Sequence, residues 1–278
     1  MAKYDDAAIN TARDYYNSED ADNFYFHVWG GEDIHVGLYK DDQEPIRDAS
    51  HRTVERMVER LTNLSRDSKV LDVGAGYGGS MRHLARTVGC HCVALNLSEV
   101  ENDRDREMNR EQGLDQLIDV VDAAFEKLDY PDNSFDVVWS QDAILHSAER
   151  ETVLAEVARV LKPGGEFVMT DPMAADDCPE GVLEPILARI HLPSLGTPGF
   201  YVETAKKLGL EDLGFEDHSH QLPRHYGRVR AELTRLAPEL KGKVSDEYIE
   251  RMKTGLGHWV NGGNNGHLAW GIFHFRKA

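Results

Sequence analysis

The feature that most constrains the fold is the ten-residue stretch 70–79, VLDVGAGYGG. Its first four residues favour a buried strand, and the glycines that follow permit backbone conformations and close approaches that a Cβ would block. Residues 80–85 then predict a helix. This strand, glycine loop and helix predict the opening of a doubly wound α/β domain. The glycine spacing at 74, 76 and 79 also fits the G-x-G-x-x-G motif of dehydrogenases, so the loop alone does not decide the ligand.

Length and charge restrict the classes of function. The 278 residues are enough for one large α/β domain, or for a core with a modest cap. There are 49 acidic and 31 basic residues, which give a net charge of −18 spread along the chain. An anionic surface disfavours nucleic acid and anionic membranes as partners. Diffuse acidity is typical of a soluble protein, and it also suits a salt-rich cytoplasm.

Cysteine content and hydropathy favour the cytoplasm. The three cysteines (Cys90, Cys92 and Cys178) are too few and too odd in number for a disulfide framework. Cys90 and Cys92 are expected on one face of a strand, with His91 on the other, so no metal site is predicted there. The sequence shows no leader-like segment and no long apolar run, so we expect a soluble, unprocessed cytoplasmic protein.

The pattern of elements divides the chain into three parts. Residues 1–66 predict a helical cap, residues 67–172 a core, and residues 173–278 lid insertions with the closing strands of the same domain. In the core we expect strands at 69–73, 90–95, 117–121, 135–139 and 166–170, and helices at 78–88, 100–112 and 150–161. In the last part we expect a lid at 173–200, a helix at 201–208, a strand at 215–222, a helical insertion at 224–256 and a strand at 268–275. Alternating strands and helices predict a parallel sheet with helices on both faces and ligand sites at the carboxyl ends of the strands.

Four motifs in order resemble those of the class I S-adenosylmethionine-dependent methyltransferases. They are the glycine loop at 70–78, the segment Asp122-Ala123-Ala124, the acidic turn at 131–136, and the LKPGG sequence at 161–165. The resemblance covers about residues 50–220 and implies a Rossmann-like sheet that binds S-adenosylmethionine and releases S-adenosylhomocysteine. Asp72 supports this interpretation, because a carboxylate there suits the methionine amino group, whereas a pyrophosphate would gain nothing from it.

One position departs from the family pattern. The second strand of these enzymes usually ends in an acid that binds the ribose hydroxyls, but here Asn96 stands at that place. An amide can still hydrogen-bond a hydroxyl, without the strength of a charged acceptor. The departure also argues against a nicotinamide dehydrogenase, which would have an acidic or basic residue there.

A narrower resemblance covers nearly the whole chain. The aromatic segment 24–37, the LNL sequence at 95–97, the stretch SQDAILHS at 140–147, and the sequences TDPM at 170–173, GHW at 257–259 and WG at 270–271 resemble the sarcosine/dimethylglycine N-methyltransferases. Those enzymes make glycine betaine, an osmoprotectant. The phosphoethanolamine methyltransferases are also similar, and their catalytic Tyr and His fall on Tyr25 and His146. The resemblance implies cofactor-binding residues at Trp29, His35, Asp72, Gly74, Ala75, Gly76, Asn96, Leu97, Asp122, Ala123, Ala124 and Ser140.

The chemistry of methyl transfer to an amine indicates what else to seek. The amine must lose its proton before it attacks, and His146, just past the fourth strand, is the best candidate for the acceptor, with Tyr25 closing over it. A methylated ammonium favours aromatic faces, which Trp29, Tyr201, Tyr226 and Trp259 can provide. Asp142 and Asp171, at the ends of strands, are candidates to face the ammonium. No metal is expected.

The substrate carboxylate needs a cation or a cluster of donors. Arg189, His191, Arg224 and His225 lie in the predicted insertions, and the Arg224-His225-Tyr226 sequence is the preferred candidate. Two other functions stay open: a methyltransferase of the same fold acting on phosphoethanolamine, a sugar hydroxyl or a lipid, and a non-catalytic cofactor-binding protein. The oligomeric state and the acceptance of glycine are not determined by the sequence.

Overall fold

The computed structural model describes residues 7–190 and 192–278, which are organised around a seven-stranded sheet. The strands of this sheet lie in the order β3-β2-β1-β4-β5-β9-β7. Neighbours from β3 to β5 are parallel, whereas β9 is antiparallel to both β5 and β7. The strand bounds are β1 Lys69–Val73, β2 His91–Asn96, β3 Ile118–Asp122, β4 Phe135–Gln141, β5 Leu161–Thr170, β7 Leu210–Asp217 and β9 Gly271–Lys277; β6 Met173–Ala174 and β8 Leu268–Ala269 pair separately.

Helices precede, separate and follow the strands. Their bounds are α1 Ala7–Tyr16, α2 Glu19–Tyr25, α3 Ile46–Arg60, α4 Gly79–Thr87, α5 Glu99–Glu111, α6 Arg150–Val160, α7 Glu184–Ile190, α8 Pro198–Lys207, α9 Gln221–Leu236 and α10 Asp246–Asn264. A π-helical turn at Phe26–Gly30 follows α2, and a 3₁₀ turn at Ile144–His146 follows β4. Both turns lie at the carboxyl end of the sheet and carry residues that line cavities there.

The sheet buries both of its faces, as the near-continuous apolar strands predict. Because side chains alternate along a strand, Val70 packs with α3 and α4 on one face, and Leu71 packs with α6 and α8 on the other. Cys90 and Cys92 share the first of these faces with their sulfur atoms 3.8 Å apart, and both are free thiols. The expectation that both sulfurs lie on one face is confirmed.

The predicted fold class is confirmed, and the core elements agree within one or two residues, apart from β5, which begins earlier, at Leu161. Two expectations in the last part of the chain are wrong. The strand expected at 215–222 lies at Leu210–Asp217, because the chain turns at His218 and begins α9 at Gln221. The closing strand breaks at Trp270, which separates β8 from β9. The insertion expected at 224–256 is helical, as predicted, and consists of the two helices α9 and α10.

The N-terminal part is anchored to the sheet through α3. The Leu38 N–H donates to the Ala49 carbonyl (3.0 Å), and the hydroxyls of Ser50 and Thr53 donate to the carbonyls of His35 and Val36 (both 2.9 Å). The backbone at residues 35–38 is thus fixed beside the carboxyl ends of the central strands. Among the described residues, no helix is long and apolar enough to cross a membrane.

Close contact between residue 37 and α3 generates a prediction about stability. We expect Gly37→Ala to lower the free energy of unfolding by about 1–3 kcal/mol. The reason is that a Cβ at residue 37 would lie 2.7 Å from the Cβ of Ala49 and 2.8 Å from backbone atoms of Ala49 and Ser50. The measurement is urea unfolding followed by circular dichroism.

The matched control for this change is Gly227→Ala within α9. A Cβ at residue 227 would meet its nearest neighbour, Val260, at 3.9 Å, so the change should leave stability unchanged or raise it by up to about 1 kcal/mol. Equal unfolding midpoints for the two variants would contradict the close packing of residue 37.

Candidate active site

Two cavities meet at the carboxyl end of the sheet. The smaller has a volume of about 320 Å³ and lies over the glycine loop, and the larger has a volume of about 880 Å³ and lies between the N-terminal part, α7, α9 and α10. Both volumes are typical of small-molecule sites. Six residues line both cavities and therefore form their common wall: Tyr16, Tyr25, Ile34, His35, Asp142 and His146.

The glycine loop forms the floor of the smaller cavity because side chains would not fit there. Gly74 has φ +91° and Gly76 has φ +55°, both in the left-handed region that favours glycine. A Cβ on Gly74 would lie 2.3 Å from the Cβ of Ala143, and one on Gly76 would press on Ile34 at 3.1 Å. The loop can therefore present its backbone to a ligand at close range.

A carboxylate with an unsatisfied oxygen lies beside this loop. Asp72 is 2% exposed, and its Oδ1 atom has no hydrogen-bond partner among the described residues. Burial raises the pKa of Asp72 well above its usual range, and the charge of Asp105 adds to the effect. Leaving such an acceptor unsatisfied is costly, so its presence in a cavity indicates a place for a hydrogen-bond donor of a ligand.

Asn96, at the end of β2, is paired with an acid that the sequence analysis missed. Its Nδ2 donates to Oε2 of Glu101 at 2.8 Å, and both residues line the smaller cavity. Burial raises the pKa of Glu101 to about 7. The carboxylate expected at the strand end is thus supplied from the first turn of α5. The available signal was the Ser98 cap of that helix, which accepts from the Glu101 N–H.

Some of the other predicted cofactor residues line a cavity, and some do not. Ala75, Leu97 and Ala124 line the smaller cavity, His35 lies in the common wall, and Trp29 lines only the larger cavity. Asp122, Ala123 and Ser140 are not among the lining residues: the Asp122 carboxylate accepts from Asn102 and Arg106, and the Ser140 hydroxyl donates to the Val73 carbonyl.

His146 lies in the common wall with Tyr25, and its hydrogen-bond partner there is Tyr16. The Tyr16 hydroxyl lies 2.8 Å from Nε2 of His146, and Tyr25 packs on the Tyr16 ring with centroids 5.7 Å apart. The expected contact between Tyr25 and His146 is therefore corrected to a contact through Tyr16, which the sequence analysis missed. Burial lowers the pKa of His146 to about 4, and the charges of Arg189 and Arg150 act in the same direction. The imidazole is neutral at physiological pH.

Asp142 also lies in the common wall, and its oxygens are already in use. It accepts hydrogen bonds from the Val36 N–H (2.7 Å), the Thr170 hydroxyl (2.8 Å) and the Trp270 indole (2.8 Å). Its backbone has φ +52°, a conformation rare outside glycine. The carboxylate therefore holds three segments of the chain together.

Aromatic side chains line the larger cavity, as predicted for three of the four candidates. Trp29, Tyr226 and Trp259 line it, and the rings of Tyr226 and Trp259 lie 5.0 Å apart. Tyr201 does not reach it, because it is fully buried and donates to Asp171. Asp171 is likewise buried and accepts from the Leu145 N–H (3.0 Å), and neither member of this pair lines either cavity.

The preferred carboxylate-binding candidates point elsewhere. Arg224 forms an ion pair with Asp42 (2.9 Å) and does not line either cavity. The Nδ1 atom of His225 accepts from the Gly37 N–H (3.2 Å) and lies 2.9 Å from the Tyr39 hydroxyl. Only Tyr226 faces the larger cavity, which Arg189 also lines. His191 lies outside the described residues. Arg224 and Tyr226 point to nearly opposite sides of α9, because residues two apart on a helix lie about 200° apart around its axis.

Comparison with known proteins identifies the class that this architecture defines. Residues 71–169 match the model of a family described as a methyltransferase domain. A sarcosine/dimethylglycine N-methyltransferase from Halorhodospira halochloris is 68% identical over 99% of each chain, and one from Aphanothece halophytica is 53% identical over 98% of each. The chain is thus a methyltransferase. Within that class it belongs to the family of the sarcosine/dimethylglycine N-methyltransferases.

Solved structures agree with this assignment. A crystal structure described as a sarcosine dimethylglycine methyltransferase from Galdieria sulphuraria is 46% identical, with a TM-score of 0.91 over 95% of this chain and 99% of that one. The [4+2]-cyclase SpnF has a TM-score of 0.81 at 22% identity, over 97% and 96% of the two chains. At that identity the second likeness concerns the fold alone.

The unsatisfied carboxylate at residue 72 predicts a change in stability. We expect Asp72→Asn to stabilise the protein without bound ligand by about 1–3 kcal/mol at pH 7, because the change removes an ionisable group whose charged form burial disfavours. Burial raises the folded-state pKa of Asp72 above its unfolded value of about 3.9. The folded state therefore binds more protons, and the wild type loses stability relative to the variant as pH rises above about 3.9. Urea unfolding between pH 4 and pH 8 measures this.

Asp136→Asn is the matched comparison. The Asp136 carboxylate is paired with Lys162 (2.8 Å) and accepts from the Lys69 N–H (2.9 Å), so that change should lower stability at pH 7. A difference between Asp72→Asn and the wild type that stays constant across this pH range would show that ionisation of Asp72 is not the cause.

Proposed function

We propose that this protein transfers methyl groups from S-adenosylmethionine to sarcosine and N,N-dimethylglycine, and that glycine betaine is the final product. The observation that carries the proposal is the common wall, which places His146 and Tyr16 between a glycine-loop cavity and an aromatic cavity. The names of the close relatives point to the same substrates. We propose further that the product serves osmoprotection, and that the protein acts in the cytoplasm, where its three free thiols stay reduced.

The residues of the smaller cavity fit the cofactor. When bound, S-adenosylmethionine supplies an electrophilic methyl group on a positively charged sulfur. Asp72 offers an acceptor for the amino group of its methionine part, and Asn96 and Glu101 offer polar groups for its ribose hydroxyls. Gly74 and Gly76 leave room for the ligand against the backbone. The acidic character of this cavity also suits a ligand that carries a sulfonium charge.

The common wall must remove a proton from the substrate amine, which is largely protonated at neutral pH. His146 is neutral and therefore able to accept that proton on Nε2. Burial raises the pKa of Tyr16 well above its usual range, so the hydroxyl does not act as a base by itself. It can accept a proton from the amine only as it passes its own to Nε2 of His146. We propose that Tyr16 and His146 act together in this way.

The larger cavity suits a substrate that gains methyl groups on nitrogen. A cation over an aromatic ring gains about 0.5–2 kcal/mol, and methylated ammonium groups are well suited to such rings. Trp29, Tyr226 and Trp259 provide these faces. They retain the ammonium while its methyl groups increase in number, which suits an enzyme that methylates the same nitrogen more than once.

The test is methyl transfer from labelled S-adenosylmethionine to glycine, sarcosine, dimethylglycine and phosphoethanolamine. We expect sarcosine and dimethylglycine to be methylated and betaine to accumulate. Binding of S-adenosylmethionine without methylation of either would overturn the substrate assignment. A failure to bind S-adenosylmethionine by calorimetry would overturn the proposed function as a whole.

The wall residues generate a prediction about catalysis. We expect His146→Ala and Tyr16→Phe each to lower turnover roughly 100-fold, since a positioned proton acceptor contributes at least that much. The dissociation constant for S-adenosylmethionine should stay within about threefold of the wild-type value, because neither change touches the glycine loop. Initial rates and calorimetry measure the two quantities.

Tyr130→Phe is the matched control for Tyr16→Phe. Tyr130 packs edge-on against Phe135 with ring centroids 4.9 Å apart, and it lines neither cavity, so its loss should leave turnover unchanged. A parallel loss of cofactor affinity and turnover in His146→Ala would show that His146 is structural instead.

A further inference from the structure

Arg189 enters the larger cavity through a gap that a glycine leaves open. It lies near the end of α7, and its side chain crosses α10 at Gly255. A Cβ at residue 255 would lie 2.3 Å from Cδ and 2.5 Å from Nε of Arg189. Glycine inside a helix costs about 1 kcal/mol relative to alanine, and Gly255 lies within the 19-residue helix α10. One of the four glycines of α10 thus lies where the guanidinium passes.

The guanidinium that enters has no acidic partner in the described part of the chain. Its hydrogen bond is from Nη2 to the Met252 sulfur (3.1 Å), and a thioether is a weak acceptor. Arg82, by contrast, is paired with Asp105 (2.6 Å). An arginine presents a planar set of donors that matches a carboxylate, and the half-buried Arg189 presents this set where it lines the larger cavity.

This side chain is charged at physiological pH, because an arginine guanidinium does not lose its proton in proteins. The positive charge also acts on the common wall, since Arg189 contributes to the lowered pKa of His146. Both residues line the larger cavity, so a ligand in that cavity lies between a cation and the common wall.

We propose that Arg189 binds the carboxylate of the amino-acid substrate and so directs its amine toward His146 and Tyr16. This inference rests on the proposed function and adds the residue that selects an amino acid over other amines. In sarcosine and dimethylglycine a single carbon separates the nitrogen from the carboxylate. A substrate held by Arg189 at one end therefore presents its nitrogen only a short distance away, on the side of the common wall.

The other arginines near the cavity are less suited to this task. Arg150 donates to the carbonyls of Leu145 and Ser194, and Arg251 lies over the Tyr248 ring at 5.0 Å on the exposed side of α10. Arg224 is paired with Asp42, as described above. A lone guanidinium among tyrosines also suits a singly charged carboxylate better than a phosphate dianion, which disfavours phosphoethanolamine.

The experiment compares two acceptors that share a dimethylamine and differ in the carboxylate: dimethylglycine and N,N-dimethylaminoethanol. For Arg189→Met we expect the KM for dimethylglycine to rise roughly 30-fold or more, as expected when one partner of a desolvated charge pair is removed. The kcat/KM for dimethylaminoethanol should change by less than about threefold. Arg189→Lys should restore part of the loss, because an ammonium keeps the charge without the planar donors.

Gly255→Ala tests the geometry with the guanidinium intact. It should raise the KM for dimethylglycine in the same direction, because the added Cβ displaces the side chain that crosses α10. Gly227→Ala is its control, since the Cβ there has room. Equal losses on both acceptors, or an unchanged KM for dimethylglycine in Arg189→Met, would overturn the proposal. Thermal melting and S-adenosylmethionine binding verify that each variant is folded.

Calorimetry separates this proposal from the proposed function. If the wild type methylates neither acceptor, the proposed function fails, and binding of dimethylglycine in the presence of S-adenosylhomocysteine still tests Arg189. Binding by the wild type that Arg189→Met abolishes supports the assignment of the carboxylate. Equal binding by both proteins, or no binding by the wild type, overturns it.

Discussion

The carboxylate of Asp142 is the interaction on which the arrangement of the site depends. It receives hydrogen bonds from Val36 in the N-terminal part, from Thr170 at the end of β5, and from Trp270 between the last two strands. These three residues are far apart in sequence, and one of them, Val36, lines the larger cavity. If this acceptor were lost, three donors would be left buried without partners, and the common wall would lose its attachment to the sheet. Burial raises the pKa of Asp142, and the three hydrogen bonds oppose that change.

Other polar groups of the site are left incompletely satisfied, which is the opposite of what stability alone would favour. Asp72 has an unpartnered oxygen beside the glycine loop, and Arg189 has only a thioether at the far side of the larger cavity. An unpartnered carboxylate oxygen and a guanidinium without a carboxylate partner each line a cavity, and both leave hydrogen bonds for a ligand to complete. The two cavities are thus complementary in charge to their proposed ligands. The proposed methyl donor is a cation, and carboxylates line the smaller cavity. The proposed methyl acceptor is a zwitterion, and a guanidinium and aromatic rings line the larger cavity.

The sequence was sufficient wherever the signal is local. The glycine loop, Asp72 and the end of β2 follow one another within a single strand-loop-helix pattern, so their place at the carboxyl end of the sheet could be predicted. The 3.6-residue period of a helix could have shown that Arg224 and Tyr226 do not face the same cavity, because α9 places them on different sides. Glu101 was not predicted as a residue of the site, because its contact with Asn96 depends on how the first turn of α5 packs against the end of β2.

Contacts between distant segments could not be predicted from the sequence. Tyr16 and His146 are 130 positions apart, and their contact requires α1 to cross the carboxyl end of β4. Arg189 was one of four possible cations, and only the passage over Gly255 on a different helix distinguishes it. In both cases the deciding fact is how two helices pack, which the hydrophobic pattern of either helix alone does not specify.

The position of Tyr16 on α1 links the cap directly to the chemistry. The hydrogen bond to His146 exists only while α1 lies over the sheet, and polar contacts on two sides hold α1 there. On one side, Asn17 donates to Glu99 and accepts from Ser98. On the other side, the Tyr15 hydroxyl lies 2.9 Å from the Tyr248 hydroxyl. The first of these contacts involves the start of α5, beside Glu101 and the smaller cavity. The second involves α10, beside Arg189 and the larger cavity. The same short helix thus covers both cavities and supplies a hydroxyl to their common wall, so the Tyr16–His146 pair that we propose as the proton acceptor depends on the position of α1.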